Sequence, residues 1–208
     1  RPIGRVGLRG DETRHGYDAK GREVRTIDPL GGITTMDYDA RGRMTSITDP
    51  LGHKVTFEYD VTGNRIRITD SLGRATRSTV DLRNRVTSVT NATGGVLKFE
   101  WREDDMLLSI TDQLGGVWKY DYDDANRRVS VVDPLGRRQG LAYDAAGNVV
   151  ARTNADGGII FYKYDVSRRI TNKTLPGGET VRYRYDIAGN LTLLSDANYH
   201  ARYAYDAS

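Results

Sequence analysis

The chain has 208 residues, 38% of them apolar with tyrosine included, 31 Lys and Arg against 28 Asp and Glu, a formal net charge of +3 and no cysteine. Disulfides and thiolate metal sites are excluded, so packing and ladder hydrogen bonds must hold the fold. Acidic and basic residues alternate without forming blocks, as on a solvated face rather than a nucleic-acid stripe, and no run approaches the roughly 18 apolar residues of a membrane span.

The amino-terminal stretch RPIGRVGLRG carries basic residues without the apolar segment of a signal peptide. From there onward the chain copies itself. Tyr-Asp recurs at Tyr17, Tyr38, Tyr59, Tyr122, Tyr143, Tyr164, Tyr185 and Tyr205, and Val80 and Trp101 fill the two gaps in step. Each interval is 21 residues except the last, which is 20. A period of this size marks an array in which each unit is one supersecondary element leaning on its neighbours. The array covers residues 1–208: a partial repeat over 1–16, repeats starting at 17, 38, 59, 80, 101, 122, 143, 164 and 185, and a partial repeat from 205.

With each tyrosine as position zero, position 14 is glycine in all eight full-length copies that carry this turn at constant length: Gly31, Gly52, Gly73, Gly94, Gly115, Gly136, Gly157 and Gly178. Glycine held in one register while its neighbours vary implies a left-handed backbone. Asp or Asn precedes it by three residues in most copies, often followed by Pro-Leu as in Asp28-Pro29-Leu30-Gly31, which is type I turn chemistry. A looser first turn follows Tyr-Asp, with Gly21, Gly42, Gly63, Gly147 and Gly189 replaced elsewhere by Asn84, Asp105 and Asn126, which tolerate the same backbone, and by Arg168, which does so least.

Two turns about ten residues apart, separated by segments rich in Val, Ile, Thr, Tyr and Phe, predict serial antiparallel hairpins and no helix. In the segment before each Tyr-Asp, alternate residues such as Val55, Phe57 and Tyr59, or Trp118, Tyr120 and Tyr122, share one sheet face. Lys54, Glu58, Lys119 and Arg182 fall on the other. One face is therefore expected to pack and the other to meet water or a ligand. Gly10 falls on the glycine column of a repeat whose tyrosine would precede Arg1, and the last repeat opens at Tyr205, so the array reads as an excerpt of a longer one.

Tyr-Asp-x-x-Gly-Arg followed by Ile-x-Asp-Pro-Leu-Gly at this period resembles the YD repeat of the Rhs family, from Gly10 onward. That family includes bacterial polymorphic toxins, shell subunits of insecticidal toxin complexes and the animal teneurins. The resemblance implies an all-β fold in which tandem 21-residue antiparallel hairpins form a curved sheet that spirals as part of a hollow shell. It implies a non-catalytic segment that encapsulates or presents a toxin or effector polypeptide, with the rest of the shell, the enclosed toxin domain and a secretion-system component as partners. The setting it implies is a secreted or delivered bacterial effector. The family's self-cleaving core-associated end and a toxin domain are not found in these residues. A hairpin repeat advances a sheet by roughly 9.6 Å, and a wall around a compact domain of about 150 residues takes roughly 16 repeats per turn, so this length predicts an open strip.

The bland reading of the Tyr-Asp column is a stack of tyrosine rings with aspartates capping the first turn. The alternative is a cell-surface adhesin or carbohydrate-binding surface that uses the same tyrosines. His15, His53 and His200 are too scattered for a metal set, and no nucleophile, phosphate-loop or paired-carboxylate pattern stands out, so no cofactor, metal or catalytic residue is expected.

Overall fold

A computed structural model describes residues 3–6 and 12–206, and among these it contains strands and turns and no helix. Gly10 lies outside the described residues. Two compact units divide the chain, Arg1–Phe99 and Glu100–Ser208. The first holds β1 (Ile3–Val6), β2 (Glu12–Tyr17), β3 (Glu23–Ile27), β4 (Ile33–Tyr38), β5 (Met44–Thr48), β6 (Lys54–Tyr59), β7 (Arg65–Thr69), β8 (Ala75–Val80), β9 (Val86–Thr90) and the start of β10 (Val96–Trp101). The second holds β11 (Leu107–Thr111), β12 (Val117–Tyr122), β13 (Arg128–Val132), β14 (Arg138–Tyr143), β15 (Val149–Thr153), β16 (Ile159–Tyr164), β17 (Ile170–Thr174), β18 (Thr180–Tyr185), β19 (Leu191–Ser195) and β20 (His200–Arg202). Within each unit, strands consecutive in sequence pair antiparallel, so the hairpin array expected from the spacing is the fold.

The turns explain the constant interval. At the second turn of the repeat opening at Tyr17, the Gly31 amide donates to the Asp28 carbonyl at 3.0 Å and the Asp28 amide to the Gly32 carbonyl at 2.9 Å. Asp28 Oδ1 accepts from the amides of Leu30 and Gly32 at 2.9 and 2.7 Å. Gly31 has φ +86°. A three-residue loop closed by a left-handed residue joins strands without splaying them. The first turn has the same plan, and Asn84, Asp105, Asn126 and Arg168 take φ of 62°, 68°, 59° and 61° there. In the last repeat the second turn is one residue shorter: the Asp196 amide donates to Tyr199 O at 2.9 Å, and this shorter loop is why the final interval is 20 residues.

A second regularity lies in the strands. Asp37 opposes Ser46 but Tyr38 opposes Met44, so Thr45 is an extra residue and the strand bulges. The same register shift recurs opposite Tyr17, Tyr59, Val80, Tyr122, Tyr143, Tyr164 and Tyr185. The extra residue is always β-branched, as with Val24, Ile66, Thr87, Val129, Val150, Thr171 and Thr192. A bulge bends its strand and increases local twist, and β-branched residues favour the extended backbone beside it.

Among the described residues, no second layer covers either face of either unit's sheet. Strand contacts join neighbours in the sequence, and among the described residues the one buried hydrophobic is Ala75. The expected packed face is therefore only half-buried: in β16, Ile160, Tyr162 and Tyr164 are intermediate in exposure and Ile159, Phe161 and Lys163 exposed. Cohesion comes from the ladder, from cross-strand pairs worth about 0.2–1 kcal/mol each, and from contacts between successive repeats.

Candidate functional surface

The Tyr-Asp column is the joint between repeats. Asp39 follows Tyr38 and opens the first turn, where its Oδ1 accepts from the amides of Arg41 and Arg43, both at 2.9 Å, and its Oδ2 from Arg43 Nε at 2.7 Å. Arg43 Nη1 then crosses to the next repeat and donates to the Asp60 carbonyl at 3.0 Å. Its guanidinium lies 4.7 Å from the centroid of the Tyr59 ring. The Tyr59 hydroxyl in turn donates back to the Met44 carbonyl at 2.8 Å. One arginine thus ties a turn, a backbone carbonyl and the following tyrosine together by charge-assisted bonds and a cation–π contact.

This clamp repeats. Arg22 lies over Tyr38, Arg127 over Tyr143 and Arg169 over Tyr185, at 4.8, 4.5 and 4.7 Å. Their Nη1 atoms donate to the carbonyls of Asp39, Asp144 and Asp186. The partner of each of these rings is a guanidinium, which differs from a ladder of tyrosine on tyrosine. Tyr122, Tyr164 and Tyr205 likewise return their hydroxyls to Leu107, Val149 and Leu191 carbonyls at 2.9, 2.7 and 3.0 Å. Asn64, Asn148 and Asn190 replace the arginine and keep the bond to the turn aspartate, and Asn64 also crosses to the next repeat by donating to Asn84 Oδ1 at 2.7 Å. Hydrogen bonds hold the carboxyls of Asp39, Asp81 and Asp60 below their ordinary range: for Asp39 the Arg43 amide is the largest cause, for Asp81 the Arg85 side chain and for Asp60 the Asn64 side chain. Val80 and Trp101 end β8 and β10 in the tyrosine's place.

The opposite rim has a joint of its own. A Cβ added to Gly158 would stand 2.9 Å from Pro176 Cγ, and at Gly32 and Gly116 it would meet Pro50 at 3.0 Å and Pro134 at 3.1 Å. Each proline belongs to the second turn of the following repeat and rests on the glycine one residue past the left-handed position. At the turns themselves, Gly52, Gly73, Gly94, Gly115, Gly136, Gly157 and Gly178 all have φ between +79° and +88°. Around these joints the surface is shallow. A hollow of about 270 Å³ is lined by Arg128, Val131, Gln139, Leu141 and Arg152, and no group of three or more metal-ligating side chains occurs among the described residues.

Serial antiparallel hairpins joined at their turns define a β-repeat protein. The RHS Repeat family model matches residues 17–54, 38–75, 103–139, 122–159, 143–180 and 164–201. The chain belongs to the Rhs repeat family. The internal stretch between these matches, residues 76–102, contains Val80 and Trp101, where the tyrosine is lost. No curated protein matches the sequence. Among solved structures, that of TcdB2-TccC3 superposes with a TM-score of 0.68 at 19% identity over 89% of this chain. One titled TcdB2-TccC3-TEV reaches 0.70 at 19% identity over 95%. In both cases the match spans 12% of the other chain, so this chain corresponds to a small part of those proteins, and at this identity the likeness is one of fold.

Proposed function

We propose that the chain is a non-catalytic wall segment of an Rhs-type shell that encloses or presents a toxin or effector polypeptide, with the remainder of such a shell as its partner and delivery outside the producing bacterium as its setting. The observation that supports this best is the clamp exemplified by Arg43, Asp60 and Tyr59, which ties one hairpin to the next without any core beneath it and recurs at Arg22, Arg127 and Arg169. Such a strip builds area and offers no enclosed cleft for chemistry. The TcdB2-TccC3 fold supports the same reading.

Limited proteolysis of the full-length gene product tests it. The expected result is a protease-resistant array together with a second polypeptide region that resists digestion only while the array is intact. A second region digested at the same rate with and without the array overturns the proposal.

A further inference from the structure

The charge pattern of one sheet face reverses along the chain. The residue just before each repeat-opening tyrosine is Asp37, Glu58, Glu100 and Asp121 in four of the earlier repeats, and Lys163 and Arg184 in the last two complete ones. The acids are locally answered. Asp37 lies 2.6 Å from Ser46 Oγ and 3.5 Å from Lys54 Nζ, Glu58 lies 3.0 Å from Arg67, Glu100 accepts from Ser109 at 2.8 Å, and Asp121 pairs with Arg138 at 3.4 Å. In β16 to β20 no strand contains Asp or Glu.

The register lines the cations up. Lys163 opposes Asn172, Asn172 opposes Arg182, Arg182 opposes Ser195, and Ser195 opposes His200. Residues directly opposite share a face, so these five form one row of hydrogen-bonding groups crossing four strand gaps, about 19 Å. Arg184, opposite Leu193, and Arg202, opposite the same leucine, flank the row on one side. On the other side lies Phe161, two residues before Lys163 and 52% exposed. Lys163, Arg182, Arg184 and Arg202 are all exposed, and of the turn acids nearby Asp165 is engaged by Arg169, Asp186 by Asn190 and Asp196 by the amides of Asn198 and Tyr199, which leaves Glu179 in the turn between β17 and β18.

We propose that this face of β16 to β20 docks an acidic polypeptide segment, laid across the strands with carboxylates on Lys163, Arg182, Arg184 and Arg202 and an apolar side chain against Phe161. Charge complementarity is the argument. In the earlier repeats Asp37, Glu58, Glu100 and Asp121 stand on this face, and in β16 to β20 four cations stand with no strand acid among them. The short row and the exposed aromatic beside it suit a peptide better than the long basic track that a nucleic-acid backbone requires. The site does not depend on the shell reading, since it belongs to the sheet whether or not that sheet encloses anything.

Fluorescence anisotropy with a rhodamine-labelled peptide of alternating glutamate and alanine, about eight residues and so about 26 Å long when extended, is the direct test. The chain should bind it, more weakly as salt rises. Arg182→Glu with Arg184→Glu should cost about tenfold or more in affinity, while Arg77→Glu with Lys98→Glu, the same charge change on the same face of the first unit, should cost less than about twofold. Arg182→Gln with Arg184→Gln should also weaken binding with an unchanged circular dichroism spectrum, and it carries the test if the glutamate pair fails to fold. No binding by the parent chain, or equal losses in the two charge-reversed variants, overturns the proposal. Displacement of the peptide by an equal concentration of single-stranded oligonucleotide overturns the choice of polypeptide as partner.

Discussion

Arg168 is the bulkiest residue in a column otherwise filled by Gly, Asn and Asp, and its φ of 61° places it in the left-handed region. Its amide donates to the Asp165 carbonyl at 3.0 Å, so the turn holds it there. A left-handed conformation costs a non-glycine residue about 1–2 kcal/mol, whereas glycine gives back about 0.5–1 kcal/mol through the greater freedom of its unfolded chain. Arg168→Gly should therefore stabilise the chain by about 0.5–1 kcal/mol. With a urea m-value of about 2–3 kcal/mol/M, this raises the denaturation midpoint by roughly 0.3 M. Gly147→Arg, the reverse exchange one repeat earlier at φ +86°, should lower the midpoint by a similar amount. Equilibrium urea unfolding followed by circular dichroism measures both. A midpoint unchanged or lowered in Arg168→Gly would show that the side chain of Arg168 contributes more than its backbone costs, and the argument from the turn would fail.

Gly158→Ala should destabilise by about 1–3 kcal/mol through the 2.9 Å approach to Pro176 Cγ, and Pro176→Ala in the same chain should recover part of the loss in a double-mutant cycle, since Pro176 Cβ at 3.2 Å remains. Tyr164→Phe removes the 2.7 Å bond to the Val149 carbonyl and should cost about 0.5–1.5 kcal/mol in thermal or urea unfolding. The turn carboxyls Asp18, Asp39, Asp81, Asp123 and Asp165 all titrate below the ordinary 3.8 in the folded chain. Their contribution is complete above that value and is lost as pH falls through the lowered ones, so the urea midpoint should drop as pH is taken from about 5 to about 2, and an unchanged midpoint would refute the linkage.

The fold was legible because its punctuation is made of residues with narrow conformational roles. Gly31 and its counterparts sit where left-handed backbone is needed, and the alternation of Val55, Phe57 and Tyr59 sets the face of β6. Counting residues could not show what holds one hairpin to the next. The guanidinium of Arg43 reaches forward to Tyr59, sixteen residues on, and local pattern assigns it to its own turn. The rim of glycine and proline did leave a trace. Gly32 accompanies Pro50, Gly116 accompanies Pro134 and Gly158 accompanies Pro176, whereas the bulkier His53, Arg74 and Arg137 accompany Ser71, Ala92 and Ala155. The pairing between neighbouring repeats is a tendency, since in the same columns Gly95 accompanies Gln113 and Asp11 accompanies Pro29. The bulge column runs through the sequence as β-branched residues broken by Leu108, but Val24 or Thr45 looks like any strand residue until the register is known. The absence of a core was the least legible feature, because half-buried alternation reads the same whether or not a second layer lies beneath it.

Among the described residues strands pair with those that follow one another, and this has a consequence for how the protein comes into being. Each hairpin closes over a short loop, and each new one finds its place beside a neighbour already made, so no strand waits for a distant segment to be synthesised. A polypeptide of this kind lengthens like knitting, row upon row as it leaves the ribosome, and the time needed to assemble it grows with its length and not with the complexity of its topology.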